Sequence, residues 1–233
     1  MRSESDDQKN NKKNDKTMND YVLRKGSKGE RVKQLQGLLN VAQDGVFGAL
    51  TEEALKAFQN DNGLFPDGIC GPKTWEKLLP LGKLTLKRSR RRIDEIIVHC
   101  TATPEGQAKT VDDIRREHKA QGWADIGYHY LVYLDGTVHE GRDVDIAGAH
   151  AVGHNTHSIG VCYVGGVENR PGVAYKDLKA KDTRTEKQKV ALLTLLQDLR
   201  RLYPTARILG HCNVDKHGKL CPSFDARDEY RGI

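Results

Sequence analysis

No stretch of this chain stays apolar for long. Its hydrophobic runs extend a few residues each, far short of the roughly 20 that cross a bilayer, so membrane insertion is not expected. The opening segment, MRSESDDQKNNKKNDKTMND, lacks the apolar core of a secretion signal. The expectation is synthesis in the cytoplasm without a Sec-type export address. Cysteine is scarce: Cys70, Cys100, Cys162, Cys212 and Cys221 form an odd set without the spacing of a disulfide framework, which points to a reducing compartment at synthesis. Also missing is any interleaved aromatic and basic platform of the RNA-binding sort, so nucleic acid is not an expected partner. The formal charge is +6 and predicts attraction to polyanions, whether nucleic acid, an anionic membrane or an anionic wall polymer. Charge alone does not choose among them.

What is present falls into three parts. Residues 1–20 are polar with almost nothing to bury, which predicts a disordered tail. Residues 21–80 contain an internal repeat at an offset of 23: VKQLQ (32–36) aligns with LKAFQ (55–59), and DGVFGALTEEAL (44–55) with DGICGPKTWEKL (67–78). Each unit reads as a short amphipathic helix followed by a tight Asp-Gly loop that starts the next helix. Val32, Leu35, Leu38 and Leu39 share one helical face, as do Ala54, Leu55 and Phe58 with Leu64 beyond, while Thr51 and Thr74 are expected as N-caps. A small all-α module follows. From Tyr21 to Leu79 the motifs LRKGSKGERVKQLQGLLN, DGVFGALTEEALKAFQ and GLFPDGICGPKTWEKL resemble the three-helix peptidoglycan-binding domain appended to many cell-wall hydrolases. That resemblance implies wall binding.

Residues 81–233 form the third part. Its entry, within the basic stretch PLGKLTLKRSRRR (80–92), reads as a solvated linker in which LTLK is also able to form an edge strand. Beyond it, strand and helix signals alternate. IDEIIVHC is a nearly continuous apolar run, as in a buried central strand. TVDDIRREHKAQG opens on a Thr-x-x-Asp cap and stops at Gly122, with Val111, Ile114 and His118 on one side. YHYLVYLDGTVHEGR reads as strand, Asp-Gly turn, strand, and SIGVCYVGG as another strand. TEKQKVALLTLLQDLRRLYP opens on a capping box of Thr185 and Gln188 and buries Leu192, Leu195, Leu196, Leu199 and Leu202. The fold class is α/β: a mixed central sheet flanked by helices, preceded by the small all-α domain.

Chemistry concentrates at strand ends. A catalytic zinc takes three ligands from histidine, cysteine and carboxylate and keeps a fourth position open. His99 ends the buried strand, His211 begins the loop after the long helix, and Cys221 closes that loop. With nine histidines and five cysteines, such trios also arise by chance. Gly210 and Pro222 constrain the loop's ends, which lets Cys221 return toward His211. Cys100 and Cys212 each follow a candidate histidine and point to opposite faces, and Cys162 lies in an apolar strand, so these three are assigned to packing. His217 remains a rival ligand. His129 reads as structural, and His139, His154 and His157 as loop histidines.

IIVHCTATP, GYHYLVYLDGTVHEGRD, GAHAVGHNTHSIGVCYVGG and GHCNVDKHGKLCPSFD occur in the order and spacing of the type 2 N-acetylmuramoyl-L-alanine amidases, a family that includes phage lysozymes of amidase type and peptidoglycan recognition proteins. The resemblance covers most of residues 83–228. It implies that His99, His211 and Cys221 bind Zn2+, that Tyr128 and Lys219 are needed for turnover, and that His150 and Asn155 lie near the substrate groove. The stretch between His211 and Cys221 is longer than in the phage lysozymes, which keeps His217 in play.

The implied reaction is hydrolysis of the amide joining N-acetylmuramic acid to L-alanine by a monomeric, endolysin-like wall-lytic enzyme that acts on peptidoglycan after release or delivery from the cytoplasm. Two other functions compete: a recognition protein that holds muropeptides without cutting them, and a nucleic-acid binder with a structural zinc. Cys221, Tyr128 and Lys219 together favour cutting.

Overall fold

Gln36 and Gln59 occupy the same place in two copies of one local structure. The computed structural model describes residues 22–78 and 84–233, and the polar segment 1–20 lies outside them. The chain divides into two compact units at the boundary between residues 80 and 81. In the first, α1 (Glu30–Leu38), α2 (Ala49–Asp61) and α3 (Pro72–Leu78) follow one another. From the buried Gln36, Nε2 reaches Asp44 Oδ1 (2.7 Å), the Val46 carbonyl (3.1 Å) and Thr51 Oγ1 (3.0 Å), while Oε1 accepts the Gly45 N–H (2.9 Å). Gln59 repeats the pattern with Asp67 (2.8 Å), Ile69 (3.0 Å), Thr74 (3.2 Å) and Gly68 (2.9 Å). Gly45 and Gly68 have φ of 73° and 71°, a region that suits glycine.

Thr51 and Thr74 are therefore not N-caps. Gly48 precedes α2, α3 starts at Pro72, and both threonines lie inside their helices with hydroxyls on the glutamines. Each hydroxyl satisfies a buried amide rather than a helix end. Val32, Leu35, Phe47, Leu55, Cys70, Trp75 and Leu78 are buried in this unit, whereas Leu38, Leu39, Ala54, Phe58 and Leu64 are only half-buried.

The second unit is built on β1 (Glu95–Cys100), β3 (Tyr130–Val132), β4 (Val138–Glu140), β5 (Ser158–Tyr163) and β7 (Arg207–Gly210), in the order β4-β3-β5-β1-β7. β1 runs parallel to both neighbours, β5 and β7, and β3 is parallel to β5. Only the β3–β4 hairpin is antiparallel in this sheet. β2 (Thr103–Pro104) and β6 (Gly166–Val167) pair separately. Alternation along β1 sends Ile96, Val98 and Cys100 to a core shared with Leu192, Leu195, Leu196 and Leu199 of α5 (Glu186–Leu202). Glu95, Ile97 and His99 take the opposite face, where α4 (Val111–Ala120) packs Ile114 on Leu131 and Cys162. Both α4 and α5 begin in capping boxes, Thr110 with Asp113 and Thr185 with Gln188.

The basic entry to this unit, of which residues 80–83 lie outside the described residues, keeps Lys87, Arg88, Arg90 and Arg92 exposed, as a solvated segment does, but forms no edge strand and is held to the unit at several points. Residues 84–92 contain no strand, and Leu84 and Leu86 pack against the main core. The Ser89 N–H donates to the Tyr203 hydroxyl (2.6 Å), and Ser89 Oγ to the Val144 carbonyl (2.7 Å). Arg91 donates to the carbonyls of Val144 (2.8 Å), Asn155 (3.1 Å) and Ser158 (3.2 Å), and Lys87 and Arg90 pair with Asp145 (2.7 and 3.0 Å). Arg91 alone is drawn in by distant carbonyls, while Lys87 and Arg90 meet the Asp145 carboxylate from the exposed side.

Candidate metal centre

Two parallel strands ending side by side bring the first donors together. His99 is the fifth residue of β1, and His211 follows the last residue of β7. Their rings lie 4.5 Å apart between centroids. Cys221 is returned to them by a closed loop: the Cys212 N–H donates to the Cys221 carbonyl (2.7 Å), and the Gly210 N–H to Asn213 Oδ1 (2.7 Å). A Cβ at position 210 would stand 2.8 Å from Pro222 Cδ, so glycine permits this approach. The Tyr163 hydroxyl donates to the Pro222 carbonyl (2.7 Å) and anchors the loop's far end.

One donor atom from each of His99, His211 and Cys221 lies within 4.8 Å of the other two. Cys221 Sγ is 3.8 Å from His99 Nδ1. Tetrahedral zinc, with bonds of about 2.3 Å to sulfur and 2.0–2.1 Å to nitrogen, separates such a pair by about 3.6 Å. The donor set and its spacing thus fit a zinc ion. Burial holds both imidazoles neutral, pushing His99 well below its usual range with help from His150 and His211, and His211 down with help from Lys219. The neighbouring Cys100 thiol and burial push Cys221 up. The Cys100 N–H also donates to Cys221 Sγ (3.2 Å), a bond that strengthens when the sulfur becomes a thiolate on a cation.

Behind His99 runs a chain of hydrogen bonds. His99 Nε2 lies 3.0 Å from His150 Nδ1, His150 Nε2 lies 3.3 Å from Ser158 Oγ, and Ser158 Oγ donates to the His154 carbonyl (2.8 Å). With His99 Nδ1 facing the sulfur, its proton belongs on Nε2 and is donated to His150. Gly148 and Gly160 make room for the His150 ring: a Cβ would come within 2.3 Å and 2.6 Å of it, respectively. Asn155 Oδ1 accepts the N–H groups of His150 and Ala151 (both 2.9 Å). The sequence places His150 and Asn155 by the substrate groove; in the structure His150 is buried behind His99, and Asn155 braces the loop that carries it.

Tyr128 is half-buried with its ring 5.2 Å from that of His99. Burial first, then the nearby cysteines, raise its hydroxyl well above the usual phenol range, so it stays protonated. Lys219 is exposed, and its charge helps to depress both His99 and His211. Asp215 shapes this rim by accepting the N–H groups of Lys219 (3.1 Å) and His217 (2.7 Å). His217 is exposed and does not belong to the trio.

His129 is buried: its Nδ1 accepts the Gly160 N–H (2.9 Å), and its Nε2 lies 3.1 Å from the Ile146 carbonyl. His139 stacks on Tyr133. His154 and His157 are not plain loop histidines, since both approach the Glu95 carboxylate. Sequence reasoning passed over Glu95 and Ser158. The available signal was a carboxylate within an apolar strand, four residues before His99 and so on the same face.

Residues 89–224 match the N-acetylmuramoyl-L-alanine amidase family, and residues 28–78 match a peptidoglycan binding domain. The chain is 41% identical over 136 residues to the endolysin of Enterobacteria phage K11, covering 58% of this chain and 84% of that protein. It is also 41% identical over 140 residues to the endolysin of Escherichia phage T7, covering 60% and 87% respectively. Among solved structures it is similar to the N-acetylmuramoyl-L-alanine amidase LysC from Clostridium intestinale URNW, at 24% identity and a TM-score of 0.47 over 63% of this chain and 90% of that one. The amidase match takes in β1, the hairpin, β5, β7 and the Cys221 loop, more than half the chain; the protein belongs to the N-acetylmuramoyl-L-alanine amidase family, hydrolyses the amide between N-acetylmuramic acid and L-alanine in peptidoglycan, and carries an N-terminal peptidoglycan-binding domain.

Proposed function

We propose that His99, His211 and Cys221 hold the zinc ion of this amidase, that Tyr128 and Lys219 complete its turnover machinery, and that residues 21–80 tether the catalytic unit, 81–233, to its polymer. The convergence of three donor atoms within 4.8 Å, two of them at the spacing zinc requires, carries the reading. Zinc bound there supplies a Lewis acid for the amide carbonyl and lowers the pKa of water toward about 7.

The chain's own groups do the rest. Tyr128 keeps its proton and uses its hydroxyl to orient the attacking water. Lys219 brings positive charge to the amide oxygen as negative charge develops on it, a contribution of about 3–4 kcal/mol for a single well-placed donor. His150 accepts the His99 Nε2 proton and fixes that ring's tautomer and direction. Asn155 holds His150 in place through the backbone. Tethering keeps the catalytic unit near an insoluble substrate, which raises its effective concentration. The lytic setting is that of an endolysin, a wall enzyme acting after release, and a monomer suffices because all five groups come from one chain.

Mass spectrometry of purified peptidoglycan after digestion tests the reaction. Free stem peptides with intact glycan strands are expected, and shortened glycans or an undigested polymer would overturn the reading. Elemental analysis of the Cys221→Ser variant tests the ligand set, with loss of tightly held zinc expected.

A further inference from the structure

Glu95 is a carboxylate that the amidase chemistry does not use. It opens β1 with a side chain only 3% exposed, four residues before His99 and about 13 Å from it along the strand. Its two oxygens have separate surroundings. Oε1 takes Arg207 Nη2 at 2.6 Å, while Oε2 lies 2.7 Å from His154 Nδ1 and 3.5 Å from His157 Nε2. One donor atom from each of Glu95, His154 and His157 falls within 4.8 Å of the other two.

Local structure explains the convergence. Residues Asn155–His157 form a 3-10 turn with His154 at its start, and three residues per turn put positions i and i+3 on one side. Both imidazoles therefore face the strand. Arg207 clamps one carboxylate oxygen and leaves the other between the rings. His157 Nδ1 lies 3.3 Å from Thr156 Oγ1, which directs Nε2 toward Glu95. Outer hydrogen bonds of this kind orient metal ligands. A cavity of about 690 Å³ lined by Glu95, His154, Arg207 and Asn213 opens beside the group, and the two histidines are half-buried rather than sealed.

We propose that Glu95, His154 and His157 form a second divalent transition-metal site, independent of the zinc centre. Two imidazoles and one carboxylate suit Zn2+, Ni2+ or Co2+ rather than Mg2+ or Ca2+, which prefer all-oxygen shells. Tetrahedral ligands at about 2.0–2.1 Å stand about 3.3 Å apart, so a cation entering here widens the Glu95–His154 contact slightly and narrows the widest pair. The ion joins the 155–157 turn to β1, and with it the segment that positions His150.

The test uses the full chain, stripped with chelator and titrated separately with Zn2+ and Co2+ under equilibrium dialysis, with elemental analysis and visible spectroscopy. Wild type is expected to take two equivalents. The His154→Asn/His157→Asn double variant and Glu95→Gln are expected to take one, with the thiolate-to-cobalt charge-transfer band undiminished. That band reports the Cys221 site alone and also shows that the variants are folded. Wild type that shows the band yet saturates at one equivalent, or either variant binding as much metal as wild type, would overturn the proposal. Failure of the Cys221 centre reads differently: the band is absent in wild type, while the equivalent removed by the histidine substitutions is still lost.

Discussion

His99 and His150 meet at 3.0 Å, Nε2 to Nδ1, in the buried layer behind the His99–His211–Cys221 trio. This contact sets which nitrogen of His99 is free to face Cys221. Replacing His150 by Ala removes the proton acceptor while leaving all three metal donors. The expected result is a loss of about 10- to 100-fold in zinc affinity, measured by competition with a chromogenic chelator. Gly160→Ala should move in the same direction, because its Cβ would press to 2.6 Å on the His150 ring. Unchanged affinity in both variants would show that the contact does not orient His99.

Tyr128 and Lys219 stand beside the trio without belonging to it. Tyr128→Phe and Lys219→Ala should each retain a full equivalent of zinc and lose most turnover, with about 100- to 1,000-fold expected for Lys219. Wall-turbidity assays paired with zinc determination separate the two effects. Full activity in both variants would remove them from the mechanism.

Burial depresses His129 to a pKa of about 4 in the folded protein, against about 6.5 for an unperturbed histidine. The unfolded chain therefore binds more protons between these values. The stability associated with neutral His129 is fully present above about pH 6.5 and is lost as pH falls toward 4, by about 3 kcal/mol in all. Urea unfolding of chelator-treated protein at several pH values should show this slope. His129→Gln, whose amide can still accept from Gly160 and donate to Ile146, should flatten it.

The paired glutamines of the N-terminal unit predict equal penalties. Gln36→Ala strands the Gly45 N–H and takes the amide donor from the Thr51 hydroxyl, and Gln59→Ala does the same to Gly68 and Thr74, whose hydroxyl keeps only a long bond to the Ile69 carbonyl (3.4 Å). Each should cost about 3 kcal/mol, the upper part of the range for leaving buried polar groups unsatisfied. Peptidoglycan pull-down and thermal melting of the full chain should show loss of wall binding at lower temperature while amidase activity on soluble muropeptide persists. A cost below about 0.5 kcal/mol in either variant would mean that the shared hydrogen bonds are replaced by water.

Much of the architecture is local and therefore visible in the residue order. The apolar run ending at His99, the Asp135-Gly136 hairpin, the capping boxes at Thr110 and Thr185 and the 23-residue repeat all depend on neighbours within a turn or a strand. Periodicity also placed Leu192, Leu195, Leu196 and Leu199 on the buried side of α5. Strand and loop boundaries marked the candidate trio only among several such combinations of histidine and cysteine, and the resemblance to the amidase family is what singled out His99, His211 and Cys221.

What residue order could not express depends on partners far away along the chain. Thr51 resembles a cap until Gln36 claims its hydroxyl, and Arg91 looks as solvated as its neighbours until the carbonyls of residues 144, 155 and 158 accept from it. His150 and Glu95 acquire their places only when the sheet stacks β5 and β7 beside β1 and the 143–157 segment folds across one face. Hydrogen-bond direction and burial are properties of that assembled surface: a donor's partner is chosen by three-dimensional proximity, which spacing in the chain determines only over a few residues.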